Sequence, residues 1–79
     1  MTHAINAEQV DLIGAMQYRR GREDYLVQRM SEPFLVQTII GIKKYPAGHL
    51  LVAKLDGTQR EAVAPYIFEK TFHSKWPNA

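Results

Sequence analysis

FLVQTIIGIK, residues 34–43, sets Phe34, Val36, Thr38, Ile40 and Ile42 against Leu35, Gln37, Ile39 and Gly41. Period-two alternation in a run rich in β-branched residues specifies a strand. The second set is also partly apolar, so something should pack on each face, and the spacing predicts a central strand. Gly41 inside the run marks a bulge or a close backbone approach. Downstream, YPAG (45–48) is a turn with proline at its second position, and HLLVAKL (49–55) reads as the returning strand. Asp56-Gly57 signals a further tight reversal. TQREAVA (58–64) follows as a third strand, polar enough to lie at an edge. Upstream, YLVQRM (25–30) is short and ambiguous between strand and helix. It ends at Ser31-Glu32-Pro33, where the residue before proline is pushed out of helical space.

At the N-terminus the spacing predicts a helix over 7–18. Asn6 and Gln9 have capping-box spacing, Glu8 and Asp11 suit the positive end of a helix dipole, and Val10, Ile13 and Met16 recur at helical intervals. Gly14 opposes this by roughly 1 kcal/mol relative to alanine. The fold expected is therefore α+β: an N-terminal helix packed on a small antiparallel β-meander of three to four strands. It divides into the helix (7–18), the sheet (about 24–64) and an aromatic segment (65–76) that closes the core. Pro65 ends the last ladder strand, the aromatics after it cap the interior, and Trp76 is expected as a lid pinned on the core, the alternative being an exposed anchor for a partner. Leu-Val-Gln occurs twice, nine residues apart, too close for a structural repeat.

A chain of 79 residues with 46% apolar composition is one small domain. It buries only about 60% of its unfolded surface, so dimerisation or partner binding is expected to support it. The absence of cysteine excludes disulfides, thiolate chemistry and cysteine-based zinc sites, and suits a reducing cytoplasm. The apolar runs are far shorter than the ~20 residues of a membrane span. Acidic residues stand where a signal peptide would be basic.

The stretch Glu32–Phe72 resembles a class of small phage and prophage proteins. Their pattern is a proline followed by alternating apolar residues, then Gly-Asp-aromatic-apolar, a glycine turn, and a phenylalanine three residues before Thr-Tyr. Pro33-Phe34-Leu35-Val36, Gly48-His49-Leu50-Leu51, Asp56-Gly57 and Phe68-Glu69-Lys70-Thr71-Phe72 occupy these places. His49 stands for the aspartate, Leu50 for the aromatic and Phe72 for the tyrosine, so no site built on that aspartate carries over. The resemblance implies a phage setting within a bacterial host cell rather than an activity.

Catalytic and metal chemistry find little support. His3, His49 and His73 lack the paired spacing of zinc ligands. Ser31 and Ser74 sit outside any nucleophile elbow. Glu61 and Glu69 could be drawn as an acid–base pair, but solvated carboxylates are far commoner. No phosphate-cradling glycine loop is present, and so small a chain is not expected to build a pocket of ~300 Å³ or more. No enzyme activity, cofactor or metal is expected.

What remains is binding. Arg19, Arg20 and Arg22 with Tyr25 form one arginine–aromatic cluster, and Lys43, Lys44 and Tyr45 a second. Glu23 and Asp24 should blunt the first. Arginine and tyrosine are enriched at binding hot spots. The function expected is non-enzymatic binding to a protein: a host machine, as for an inhibitor of a defence system of the CRISPR type, or the chain's own copies in a homodimer. The alternatives are a nucleic-acid accessory protein that uses the same residues on phosphate and a self-associating virion component.

Overall fold

The computed structural model describes residues 4–74. His3 and the lid expected of Trp76 lie outside the described residues. The chain runs β1 (Ile5–Asn6), a single 3₁₀ turn (Ala7–Gln9), β2 (Met16–Arg20), β3 (Glu23–Arg29), β4 (Phe34–Thr38), β5 (Gly41–Tyr45), β6 (Leu50–Lys54), β7 (Glu61–Val63), α1 (Pro65–Thr71) and β8 (His73–Ser74). Two sheets result, one in the order β1-β4-β5 and one in the order β7-β6-β3-β2-β8.

The fold is thus mostly β, and the expected α+β arrangement is overturned. No N-terminal helix forms over 7–18. Asn6 does cap, its Oδ1 accepting the Glu8 N–H at 2.9 Å, but only one turn follows and Val10 is already extended. Leu12 takes a positive φ of 59°, which ends helical propagation. Tertiary burial decides the outcome: Ala7 and Leu12 enter the core, whereas Ile13, placed on the buried stripe by the helical reading, is 85% exposed. Met16–Arg20 instead pairs with β3 across Gly21-Arg22, with Arg20 opposite Glu23 and Tyr18 opposite Tyr25. Gly21, at φ 64°, supplies the positive φ that so tight a turn needs. The polar break RRGRED is therefore a hairpin.

The central strand also differs from expectation. Residues 34–43 are not one strand but the β4–β5 hairpin, reversing at Ile39-Ile40 with Thr38 opposite Gly41. Gly41 follows the turn at φ 123°, a conformation that favours glycine. The strand covered on both faces is β6, where Leu50, Leu51, Val52 and Ala53 are all buried. It lies between β3 and β7.

Alternate residues of β6 feed two cores. Leu51 and Ala53 pack with Phe34 and Val36 of the smaller sheet, joined by Leu12 and Met30. Leu50 and Val52 pack with Val27, Val63 and Phe72, against which Phe68 of α1 is laid. The layers are small sheet, large sheet and helix. Phe34, Leu51 and Val52 are the largest fully buried side chains, each contributing about 1.5–3 kcal/mol by burial.

Pro65 opens α1, where its missing N–H costs nothing. Phe68 meets Tyr18 edge-on at 4.8 Å and stacks on Phe72 at 5.0 Å, while Phe72 meets Tyr25 edge-on at 5.8 Å. Between β6 and β7 the chain reverses with Gly57 at φ 84°. Asp56 Oδ1 accepts from both the hydroxyl and the amide of Thr58, which hold its carboxyl below the usual carboxylate range.

Candidate functional site

The two basic clusters lie in different sheets, and the structure treats them differently. In the first, cross-strand pairing consumes the charge. Arg19 bonds Asp24 directly opposite it at 3.0 Å. Arg20 reaches across the large sheet to Glu61 at 3.2 Å, its guanidinium 4.8 Å from the Tyr25 ring centre and 4.9 Å from that of Phe72. The Tyr25 hydroxyl raises its pKa most, burial opposes this, and Glu61 adds to the rise. Tyr25 also donates its hydroxyl to Glu23 at 3.0 Å. Arg20 and Tyr25 thus close the second core, and Arg22 alone of the cluster shows no ion pair among the described residues.

The second cluster stays open. Lys43 and Lys44 are exposed on β5. Successive strand residues point to opposite faces, so Lys43 shares the face of Val36 and Lys44 that of Leu35. Tyr45 does not join them: its ring lies against Phe34 at 5.8 Å and His49 at 5.8 Å, bracing the hairpin base.

Beyond the lysines lies a group that the sequence reading placed inside a strand. Ile39 is 105% exposed, Ile40 81% and Ile42 64%, all at the end of one hairpin. Single exposed aliphatics are ordinary, but a cluster at one tip is not. The signal was Gly41, which marks a turn as well as a bulge.

A concave surface also exists, contrary to the expectation for this size. A cleft of about 490 Å³ opens between α1 and the large sheet, lined by Met16, Tyr18, Arg29, Leu50, Phe68 and Glu69 among others. Its cause is geometric: a seven-residue helix is about 10 Å long and cannot cover strands spaced about 4.8 Å apart across the whole sheet. Glu69 lines the cleft, while Glu61 is held by Arg20, so the acid–base pair drawn from the sequence is not assembled there. His49 rests beside Tyr45, and His73 is opposite Arg19 on β8. Among the described residues no group of three potential ligands could hold a metal ion, and no helix is long and apolar enough to cross a membrane.

No family model, characterised protein or solved structure matches the chain.

Proposed function

We propose that this chain is a non-enzymatic binding module that engages another protein through the β4–β5 hairpin. The observation that carries this reading is the exposure of Ile39, Ile40 and Ile42 together at one tip. Aliphatic surface of this kind gains free energy when a partner covers it, at roughly 25 cal/mol per Å² before the costs of association. Lys43 and Lys44 give the same hairpin a polar rim. The resemblance of residues 32–72 to small phage and prophage proteins suggests the partner's setting: a machine of the bacterial host, with a defence system as the leading instance.

The arginine cluster, first choice from sequence, is the weaker surface, because Arg19 and Arg20 already have partners within the chain. The same pairing counts against phosphate binding by that cluster. The test is capture from bacterial lysate by the wild-type chain, the double variant Ile39→Ser/Ile40→Ser and the control Arg22→Ser. Proteins held by wild type and Arg22→Ser but lost with the isoleucine variant are the expected result. Identical capture by all three overturns the reading.

A further inference from the structure

We propose that the open edge of β5, residues 41–45, accepts an extended acidic segment of a partner protein as an added strand, with an aliphatic side chain of that segment beside Ile42. The proposal rests on the binding reading above and names the partner's chemistry. β5 is the outermost strand of its sheet. In an antiparallel pair every second residue turns its N–H and C=O away from the neighbour, so β5 presents a row of such groups among the described residues. A row of that kind is a template for strand addition. On the other side, β1 pairs with β4 only at Phe34 and Leu35, so among the described residues no third strand pairs with the outer half of the hairpin.

Charge selects the occupant. Pairing the whole of β5 with that of a second copy, antiparallel about its centre, sets the two Lys43 side chains directly opposite each other and each Lys44 against Ile42. Like charges in that position are destabilising, so the lysines guard the edge against self-pairing. A strand with carboxylates opposite Lys43 and Lys44 turns the same contacts favourable. A lipid bilayer is a poorer occupant, because inserting the isoleucine tip would carry unpaired backbone groups of the β5 edge into hydrocarbon. Nucleic acid fits less well too: the two lysines point to opposite faces, and the tip residues 39–42 offer no aromatic ring on which a base could stack.

The test uses the ¹⁵N-labelled full chain and two peptides at up to millimolar concentration, Thr-Val-Glu-Glu-Val-Thr and Thr-Val-Lys-Lys-Val-Thr, whose symmetry permits either strand direction. The expected result is amide shift changes and slowed exchange along β5, with the glutamate peptide binding about tenfold tighter than the lysine peptide. Lys43→Glu/Lys44→Glu, altering only exposed side chains, should reverse that order. No change on β5 at millimolar peptide, equal binding of both peptides, or shifts confined to the cleft beside α1 would each overturn the proposal. So would β5 exchange that slows with protein concentration alone, or that responds to phosphatidylglycerol vesicles or duplex DNA instead of peptide. If the peptides fail while capture from lysate still depends on Ile39 and Ile40, strand addition falls and the binding reading stands. If capture is independent of the tip, the binding reading itself falls.

Discussion

Arg60 is the side chain on which the N-terminal segment depends. Its guanidinium donates to the carbonyls of Ala7 and Val10, and its Nε donates to the Gly57 carbonyl at 2.9 Å. The Ala7 carbonyl also accepts the Val10 N–H at 3.3 Å, so Arg60 ties the single 3₁₀ turn to the β6–β7 connection. The planar fork reaches Ala7 and Val10 with Nη1 and Gly57 with Nε, a spread that the single nitrogen of a lysine ammonium cannot span. With hydrogen bonds to charged groups contributing about 1.5–3 kcal/mol each, and the bond to Gly57 lost, Arg60→Lys should cost about 2 kcal/mol. Urea unfolding followed by circular dichroism checks this, and a variant within error of wild type would show that the tie is dispensable. Arg20 illustrates the opposite lesson. Its charge looks available in the sequence, yet it is held over two rings and paired with a carboxylate from a strand 41 positions away.

At the scale of elements, the β4–β5 hairpin separates folding from binding. Its inner end is fixed by Phe34, Val36 and Tyr45 packing into the first core. Its outer end touches little, and Thr38 closes the turn by donating its hydroxyl to the Gly41 carbonyl at 2.6 Å. Replacing exposed aliphatics far from the core normally shifts stability by no more than about 0.5 kcal/mol. Ile39→Thr/Ile40→Thr should therefore unfold at the wild-type denaturant midpoint while becoming more soluble. A clear loss of stability would mean that the isoleucines are covered within the chain. The β2–β3 hairpin shows how charge sets register: opposite charges face one another at Arg19–Asp24 and Arg20–Glu23, and each such pair favours this alignment by a few tenths of a kcal/mol to about 1 kcal/mol.

For the whole molecule, β6 is where both cores meet. Leu51 belongs to one and Val52 to the other, and both are fully buried. Leu51→Ala should cost about 2–5 kcal/mol, because the surrounding sheets cannot collapse into the space left. Against a total stability of about 5–15 kcal/mol for a small domain, this is a large fraction. Thermal unfolding should show a markedly lower midpoint with loss of both cores in one transition. If only one core melted, the two layers would be independent units. Among the described residues no helix is longer than α1, which leaves stability to non-local strand pairing, and one face of the large sheet is only partly covered by α1.

Local chemistry was legible where a single residue type has one physical use. Gly57 at a positive-φ turn, Pro65 at the point where pairing stops, and the alternating burial of Phe34 and Val36 follow from steric and periodic rules that act within a few residues. Asn6 was a true cap whose helix never grew, because capping fixes where a turn starts and burial fixes whether it continues. What tertiary structure decided was partnership: that Met16–Arg20 lies against β3, that Ile39 and Ile40 turn instead of extending, and that the arginines find their carboxylates at home. Each depends on which distant strand offers an apolar face or an opposite charge, a quantity that no short window of sequence contains.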